Sequence, residues 1–570
     1  MDNKAAIAAA LAAATGIDEK ELCGFLETPP DPAMGDHAFP CFRLAKALRK
    51  APPAIAAELK EKLALPAGIS RCEIAGGYLN FFADKASYAA GVLARVLNAG
   101  EAYGGGDMGK GGKVCIDYSS INIAKPVHIG HLSSTAIGNS LYRIYKHLGY
   151  CPVGINHLGD WGTQFGKMIV AYQNWGSEEM LEKGSVRDLV RLYVRFHDEA
   201  EKKPEMNDEA RAWFKKIEDG DPEAISLFER FKDITMKEVM RVYDMLDVHF
   251  DSYAGESFYN DKMQPIVDEL REKGLLKEDQ GAQIVDLSAY DMPPCIILRS
   301  DGATLYATRD LATAQYRKDT YDFVKSLYVV AYQQNLHFRQ FFKVLELMGR
   351  PWVKDMEHVN FGMVSMEEGT LSTRHGNVVY LEDVLGAAVE KTLSIMAEKS
   401  PDLSGEALEE AARAVGVGAV VWGVLYNARI KDITFSYAKA LNFDGETGPY
   451  VQYTHARCCA VLRKAAEKGV ETDFASIDPA SLSDASAVAA LKALDAFPAA
   501  IENAAKKNEP YLVARAVMDI CAAYNKFYYD NRILDAEEQA RNARLALTEA
   551  VRTTLKTGLY LLGLKAPERM

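Results

Sequence analysis

The sequence feature that most restricts the fold is a strand–loop–helix–strand pattern that begins near residue 113. Residues 114–116 form a short apolar run, and a second run follows at 153–155. Between them, apolar residues recur at helical spacing, at Leu132, Ile137, Leu141, Ile144 and Leu148. Two short strands joined by a helix form a βαβ unit, which requires a parallel sheet. We therefore predict a doubly wound α/β domain.

The patterns on either side of this unit predict the other parts of the chain. Before it, helical runs alternate with short strands, as in an α+β domain. After it comes a charge-rich helical insertion, and beyond about residue 385 amphipathic helices predict a bundle. The expected domains are an α+β N-terminal domain at 1–105, the α/β domain at 113–385 with its insertion at about 176–275, a helical connector at 386–440 and a C-terminal α-helical bundle at 441–570.

Two further predictions follow from this division into domains. The parallel sheet should resume after the insertion with residues 295–298 and continue through 323–330. Because domains generally carry their own cores, deletion from residue 441 onward should leave the α/β domain able to fold.

A glycine-rich stretch at 104–112 lies between the first two domains. It contains G-x-G-x-x-G at Gly104, Gly106 and Gly109, and it is one residue short of a P-loop. Both phosphate-binding motifs need a strand before them and a helix after them. Here a strand follows instead, so we interpret the stretch as a linker.

The distribution of charge matters more than its sum. The 570 residues carry a net charge of −13, to which the two end segments, 1–112 and 441–570, contribute −1 each. The acidity therefore lies in the middle of the chain. The two ends, which are close to neutral, are better suited to binding a polyanion such as RNA.

Cysteine usage and hydropathy indicate the compartment. The nine cysteines include no C-x-x-C pair, which argues against zinc ligation and against a disulfide framework. No run of about 18 apolar residues predicts a membrane-spanning helix. The alanine-rich start resembles a signal peptide superficially, but Asp2 cancels Lys4 and no cleavage site stands out. We therefore expect a cytoplasmic protein that does not bind membranes.

The most informative stretch, residues 119–131, lies between the first strand and the following helix. Doubly wound sheets bind ligands at this edge, and a helix N-terminus favours phosphate. His128 and His131 lie three residues apart here, and Gly130 allows a ligand to approach the backbone closely. Such donors can stabilise charge on a phosphoryl group during transfer. Two histidines at this spacing would on their own favour a structural or metal-binding role.

The whole stretch, SSINIAKPVHIGH, resembles the HIGH signature of class I aminoacyl-tRNA synthetases in its arginine-specific form. Further blocks are similar to arginyl-tRNA synthetases in the same order along the chain, at 157–166, 299–302, 306–310, 334–338, 448–453 and 567–570. The resemblance implies a Rossmann-like catalytic domain that joins arginine to tRNA(Arg) with ATP and Mg²⁺. It also implies a tRNA-elbow-binding N-terminal domain, an anticodon-binding bundle, and a monomer without zinc.

Arginine recognition needs carboxylates in the plane of the guanidinium, because that group presents five donors and stays charged. The resemblance makes Asp310 the main partner and Asp117 a second one, with the Tyr306 hydroxyl beside them. Asp117 stands where the family usually has glutamate, so direct and water-mediated contacts are both open. The other residues that the resemblance assigns to arginine are Ser119, Asn122, His128 and Gln334.

ATP is expected at His128, Gly130 and His131, and at the loop that stands in place of the family's second signature, KMSKS. That loop contains neither lysine, and its candidate ATP ligands are Ser372, Thr373, Arg374 and His375. Many arginyl enzymes show similar degenerate versions, in which a lysine just before HIGH substitutes. Lys125 occupies that place. The predicted catalytic residues are Lys125, His128, His131 and Arg374.

Candidate tRNA contacts occur near both ends of the chain. Arg43, Lys46 and Lys50 have the spacing of one helix face, which could equally be a solvated face. Tyr450 and Tyr453 lie in the block that resembles the start of the anticodon-binding bundle. Aromatic side chains further on alternate with cations, as suits single-stranded bases. Their helical spacing is nevertheless more typical of a core, for Tyr511, Tyr524, Phe527, Tyr528 and Tyr529.

Two other functions are open at this point. A different class I synthetase or nucleotidyltransferase would share the HIGH signature but should lack the sequence context of Asp310 and Gln334. A non-catalytic paralogue that binds RNA would more typically have lost His128 and His131, both of which are present here.

Overall fold

The computed structural model of the chain describes residues 3–31, 34–367, 379–400, 402–470, 474 and 477–570. Two units are distinguished by their internal contacts. The first comprises Met1–Tyr103, Cys458–Ala496 and Asp519–Thr554, and the second comprises Gly104–Arg457, Phe497–Met518 and Leu555–Met570. The C-terminal helices therefore contribute to both units. The four predicted domain boundaries stay a prediction.

The regular elements of the described residues are numbered in chain order. The strands are β1 (His37–Pro40), β2 (Ile69–Ala75), β3 (Tyr78–Ala83), β4 (Lys113–Asp117), β5 (Cys151–Ile155), β6 (Leu276–Asp279), β7 (Ala282–Val285), β8 (Cys295–Leu298), β9 (Lys325–Tyr328), β10 (Met356–His358), β11 (Val364–Met366) and β12 (Ile433–Phe435). The helices up to the end of the insertion are α1 (Asn3–Thr15), α2 (Glu19–Phe25), α3 (Ala45–Leu48), α4 (Pro52–Lys62), α5 (Lys85–Ala99), α6 (Gly130–His147), α7 (Thr163–Trp175), α8 (Glu178–Lys183), α9 (Val186–Lys202), α10 (Glu205–Glu218), α11 (Pro222–Leu246) and α12 (Met263–Glu272). The remaining helices are α13 (Tyr306–Tyr321), α14 (Asn335–Leu347), α15 (Leu381–Lys399), α16 (Gly405–Leu425), α17 (Tyr437–Ala440), α18 (Gly448–Glu467), α19 (Ala485–Lys507), α20 (Tyr511–Asp530) and α21 (Glu538–Leu561).

The N-terminal part of the first unit is an α+β structure, as predicted. Its antiparallel sheet has the order β1-β3-β2, and the central strand β3 is buried at four of its six positions. The side chains of Asp18 and Asp84 accept backbone N–H bonds at the starts of α2 and α5, which supplies partners that a helix N-terminus lacks. Pro52 occupies the first position of α4, where the fixed φ angle of proline already matches that of a helix.

A parallel sheet with the order β10-β9-β4-β5 forms the centre of the second unit. The strand β4 is paired with β5 on one side and with β9 on the other, so the strand order reverses beside β4. In such sheets ligands bind outside the carboxyl ends of the strands at this switch point. The predicted doubly wound, Rossmann-like architecture is therefore confirmed, and it places the loop after β4 at the expected ligand site.

The predicted continuation of this sheet through β8 is wrong. β8 belongs to a separate antiparallel sheet with the order β6-β7-β8. The strands β6 and β7 are joined by Gln280 and Gly281, whose φ angles of 49° and 81° are those of a tight hairpin turn. Because β8 pairs with β7 of this hairpin, it lies outside the parallel sheet.

The glycine-rich stretch 104–112 is a packed connection and not a phosphate loop. The backbone nitrogen of Gly109 donates to the carbonyl of Leu148 (2.9 Å), and that of Gly111 donates to Gly149 (2.9 Å). A Cβ at Gly109 would lie 2.4 Å from the backbone nitrogen of Tyr150. Glycine is required here because the stretch lies directly against the turn between α6 and β5.

The second unit also contains the strand pair β11-β12 and many helices, among them parts of the C-terminal bundle. On α6, Ser140, Arg143 and Tyr145 donate to the carbonyl groups of Leu561 (2.8 Å), Tyr560 (3.0 Å) and Ala505 (2.9 Å). Deletion from residue 441 would remove these partners together with the helices that cover α6. The expectation that the α/β domain folds without the bundle stays a prediction. No helix in the described part of the chain is both long enough and apolar enough to cross a membrane.

Candidate active site

The loop between β4 and α6 is held in an uncommon backbone conformation. Ser119, Ser120 and Ala124 have φ angles of 68°, 45° and 61°, values that cost energy for residues other than glycine. Two hydrogen bonds hold the loop: the nitrogen of Ser119 donates to Ser134 Oγ (2.9 Å) and that of Ala124 donates to Thr235 Oγ1 (3.0 Å). Such strain persists only where the surroundings impose it, and it clusters at functional sites.

Two imidazoles lie side by side where this loop becomes α6. The ring centroids of His128 and His131 are 4.0 Å apart. The backbone nitrogen of Gly130 donates to His128 Nδ1 (3.0 Å), and that of His128 donates to His131 Nδ1 (3.1 Å). An Nδ1 atom that accepts a bond carries no proton, so the proton of the neutral His128 ring is on Nε2, where it can be donated. His131 Nδ1 also lies 3.3 Å from the carbonyl oxygen of His128, so either tautomer of that ring has a backbone partner.

Both rings are held in their neutral form. Burial lowers the pKa of His128, and the nearby charge of Lys125 lowers it further. The pKa of His131 is lowered to about 3, chiefly by burial and then by His128 and Lys125. Neutral donors at the N-terminus of a helix can bind phosphate oxygens without titrating near pH 7. The pair therefore suits the nucleotide role predicted from the sequence.

Lys125 is exposed on the same loop, and its charge acts on both histidines. The loop expected to close over ATP from the other side, with Ser372, Thr373, Arg374 and His375, lies outside the described residues. The residues that follow it are placed. Leu381 donates from its backbone nitrogen to the carbonyl of Val127 (2.9 Å), and Ile129 donates to Val379 (3.1 Å). The chain therefore returns beside the HIGH signature immediately after this loop.

Asp117, at the end of β4, already has partners within the chain. Its Oδ1 accepts from Ser120 Oγ (2.7 Å) and its Oδ2 accepts from Arg317 Nη2 (2.7 Å). The Arg317 side chain is 1% exposed and that of Asp117 is 8% exposed. An unpaired charge would be very unfavourable at this depth, so the pair neutralises both groups. A direct contact between Asp117 and arginine stays a prediction.

Asp310, on the first turns of α13, is partly exposed and is bonded to His337 on α14. The distance between Asp310 Oδ2 and His337 Nε2 is 2.6 Å, and about a quarter of each side chain is exposed. Burial acts to lower the pKa of His337, but the hydrogen bond and charge of Asp310 outweigh it, so the pKa is raised. Asp310 is therefore a partly exposed carboxylate whose partner, His337, is favoured in its protonated form.

A second carboxylate beside Asp310 was not found from the sequence. Glu256 lies 3.5 Å from Arg309 Nη1, and both side chains are largely buried. Burial raises the pKa of Glu256 to about 7; Arg309 opposes the shift, while Asp310 and Asp160 add to it. Glu256 precedes the last helix of the insertion, where one acid among many gives no pattern. Only the fold brings it to the catalytic domain.

The buried imidazole of His157 shows that these groups are close together. Burial lowers its pKa, the charges of Asp117 and Asp310 raise it, and those of Arg317 and Arg309 lower it. Charges on β4 and on α13 therefore act on the same ring. This places the end of β4 and the start of α13 at one site.

Three other residues assigned to arginine are exposed near these elements. Tyr306 is 68% exposed and lies one turn before Asp310, on the same face of α13. Gln334 is exposed and directly precedes α14. Asn122 is also exposed, and it approaches Gly159 so closely that a Cβ there would lie 2.4 Å from Asn122 Oδ1. The structure thus leaves all three side chains accessible.

Ser119 differs, because its side chain faces the interior. It is 4% exposed. Its hydroxyl lies 2.7 Å from the hydroxyl of Tyr243 and accepts from Thr135 Oγ1 (2.9 Å). These contacts fix the loop of the HIGH signature, and the predicted contact of Ser119 with arginine stays a prediction.

The predicted basic helix face of the first unit is wrong in its geometry. Arg43 lies in a short 3₁₀ segment and Lys46 lies in α3, but α3 ends at Leu48 because Arg49 is left-handed, with φ 51°. Lys50 therefore lies beyond the helix, where it is paired with Glu58. The three cations do not share one helix face, and their contact with tRNA stays a prediction.

The aromatic residues of the bundle divide into core and surface. Tyr524 and Phe527 are fully buried, whereas Tyr529 is 89% exposed. Tyr453 on α18 is exposed too, and the guanidinium of Arg457 lies 4.9 Å from its ring centroid. An exposed aromatic face beside a cation suits stacking of an unpaired base.

Comparisons with known proteins agree with this arrangement. Family models match over 93–437 (tRNA synthetases class I (R), catalytic domain), 451–570 (DALR anticodon binding domain) and 2–83 (Arginyl tRNA synthetase N terminal domain). The chain is 54% identical to an Arginine--tRNA ligase of Alkaliphilus metalliredigens over 97% of both chains, and 54% identical to that of Clostridioides difficile over the same shares. Its structure is similar to the arginyl-tRNA synthetase of Thermus thermophilus, with a TM-score of 0.79 and 27% identity over 99% of this chain and 100% of that one.

These matches extend over the whole chain and include the segments that carry the histidine pair, Asp310 and the bundle. A catalytic-domain match of this length, together with relatives at 54% identity, goes well beyond a shared fold. The chain belongs to the arginyl-tRNA synthetase family of class I aminoacyl-tRNA synthetases.

Proposed function

We propose that the chain activates arginine with ATP and transfers it to the terminal adenosine ribose of tRNA(Arg), releasing AMP and pyrophosphate. The observation that carries the proposal is the arrangement at the carboxyl end of the parallel sheet. There, two neutral imidazoles begin α6, and two carboxylates, Asp310 and Glu256, lie beside the start of α13. The first pair suits a polyphosphate and the second suits a guanidinium.

The chemistry follows from these positions. The arginine carboxylate attacks the α-phosphorus of ATP, the bond to pyrophosphate breaks, and arginyl-adenylate forms. The Nε2–H group of His128, with His131 beside it, donates to a phosphate oxygen as charge develops in the transition state. The phosphate oxygens of ATP would hold Mg²⁺, which would supply positive charge to the triphosphate. A ribose hydroxyl of tRNA then attacks the activated carbonyl, and AMP leaves.

Arginine selection is assigned to the partly exposed Asp310 and the more buried Glu256, which bind the guanidinium with the hydroxyl of Tyr306 beside them. The exposed Asn122 and Gln334 hold the α-amino and carboxylate end. Asp117 acts on arginine binding indirectly. It neutralises Arg317, and it holds the loop between β4 and α6 through its hydrogen bond with Ser120. This division explains how aspartate can stand where the family usually has glutamate: its carboxylate completes an internal ion pair.

The two ends of the chain are assigned to tRNA. The N-terminal domain, with Arg43, Lys46 and Lys50, contacts the elbow, and the bundle, with Tyr450 and Tyr453, contacts the anticodon region. The near-neutral charge of these segments beside an acidic centre supports the assignment. We further propose a cytoplasmic monomer; the scattered spacing of the nine cysteines, with no C-x-x-C pair, fits a reducing compartment.

An amino-acid screen by ATP–pyrophosphate exchange, with and without tRNA, tests the function. We expect exchange with arginine alone among the amino acids, and only when tRNA is present, as the family resemblance implies. Exchange with another amino acid would identify a different synthetase. No exchange under any condition would indicate a non-catalytic RNA-binding protein, and robust exchange without RNA would contradict the tRNA requirement.

The raised pKa of Glu256 predicts a pH dependence for arginine use. In the free enzyme its carboxyl is protonated below about pH 7 and ionised above it, and only the ionised form attracts a guanidinium. We therefore expect kcat/KM for arginine to rise as the pH increases through about 7, measured by tRNA-dependent exchange. The rise should be absent in Glu256→Gln and retained in Glu272→Gln, at the exposed end of α12. An unchanged profile in Glu256→Gln would assign the titration to another group.

A further inference from the structure

Asp160 is a buried acid with no role in the reaction described above. It lies in the block 157–166 and is 0% exposed. Its Oδ1 accepts from the backbone nitrogen of Ser257 (2.9 Å), and its Oδ2 accepts from Ser257 Oγ (2.9 Å) and from Lys232 Nζ (3.0 Å). A buried carboxylate is stable only with such partners. Two of its three bonds go to one residue, and that residue directly follows Glu256.

The residue before Glu256 is fixed by the same carboxylate. A Cβ at Gly255 would lie 2.5 Å from Asp160 Oδ1 and 2.7 Å from the carbonyl of Leu158. The backbone nitrogen of Glu256 donates to that same carbonyl (2.8 Å). The backbone on both sides of Glu256 is therefore held against Asp160 and Leu158, which fixes the point from which its side chain extends.

We infer that Asp160 is a positioning residue for arginine recognition, which holds the 255–257 loop so that the Glu256 carboxylate faces Arg309 and the substrate guanidinium. The inference rests on the role proposed for Glu256. Lys232, on α11, joins the insertion to this arrangement through the second oxygen of Asp160. Asp160, in the block 157–166, thus affects specificity for arginine by positioning Glu256, and it does not contact arginine itself.

The charge of Asp160 provides a readout that a purely structural role would not give. The charged groups that act on Glu256 are Arg309, which lowers its pKa, and Asp310 and Asp160, which raise it in addition to burial. Replacing Asp160 by asparagine keeps the shape and an acceptor for the backbone nitrogen of Ser257, but an amide nitrogen then faces Lys232 and the Ser257 hydroxyl, and one negative charge is removed. The pH at which kcat/KM for arginine rises should therefore move downward.

The experiment uses the full-length enzyme in tRNA-dependent exchange, with Asp160→Asn, Ser257→Ala and Glu256→Gln alone, and with the first and third combined. We expect Asp160→Asn and Ser257→Ala to raise the arginine KM by about tenfold while the ATP KM changes by less than about twofold. In the double variant, Asp160→Asn should add little to Glu256→Gln, because both act through one carboxylate. Asp251→Asn is the matched control, since its carboxylate also accepts a backbone bond, from Gly154 (2.7 Å), but does not seat residues 255–257.

The possible results distinguish the inference about Asp160 from the proposal that Glu256 binds arginine. A strong effect of Glu256→Gln with none from Asp160→Asn or Ser257→Ala would overturn the inference alone. Full additivity in the double variant would also overturn it. No effect of Glu256→Gln on the arginine KM would remove the role of Glu256 and the inference with it. Ser257→Ala keeps the buried charge pair intact, so it tests the loop even if Asp160→Asn folds poorly.

Discussion

Asp310→Ala is expected to raise the arginine KM by about two decades and to leave the ATP KM nearly unchanged. Loss of one partner from a buried ion pair costs about 3–5 kcal/mol. Asp310 is about a quarter exposed, so the lower end of this range, about 3 kcal/mol or roughly two decades, is the appropriate expectation. Steady-state kinetics of tRNA-dependent exchange, with arginine and ATP varied separately, measures both constants.

Two variants complete the test of Asp310. Asp310→Asn keeps an acceptor for His337 but removes the charge, so it should lose most of the arginine affinity as well. Asp319→Ala, on the exposed side of the same helix, should behave like the unmodified enzyme. A near-normal arginine KM in Asp310→Ala would mean that the guanidinium binds elsewhere, and Glu256 would then become the main candidate.

Lys125→Ala is expected to slow adenylate formation by about 100-fold, the typical cost of one lost transition-state donor, with arginine affinity nearly intact. The transferring phosphoryl group needs positive charge, and its contact with Lys125 strengthens only in the transition state. The structure supports this placement, because the charge of Lys125 acts on both His128 and His131. Single-turnover measurement of adenylate formation gives the rate, and Lys146→Ala at the far end of α6 is the control.

Adding Thr373→Lys to Lys125→Ala should restore part of the rate. Thr373 stands where the second lysine of KMSKS would be, so the new side chain returns the lost charge from the opposite loop. The two changes should therefore be non-additive in a double-mutant cycle. A wild-type rate in Lys125→Ala would make Lys125 a surface residue and Arg374 or His375 the better candidate.

Local sequence was sufficient for the elements that carry the nucleotide site. The strand, loop and helix at 113–147 follow from apolar spacing, and the HIGH residues fall at the start of α6 because the helical pattern begins there. The order of the similar blocks was sufficient for the family. Neither conclusion needs contacts between distant parts of the chain, since both rest on patterns a few residues long.

Tertiary structure decided what each acid in the site does. Asp117 meets Arg317 across 200 positions of sequence, and that contact makes Asp117 half of a buried ion pair. Glu256 acquires a pKa near 7 only because the insertion buries it beside Arg309 and Asp310. Lys50 leaves the predicted basic face because one residue, Arg49, adopts a left-handed conformation. Spacing along a chain predicts which residues share a helix or strand, but the pairing and burial of charges depend on long-range packing, which has no local sequence signal.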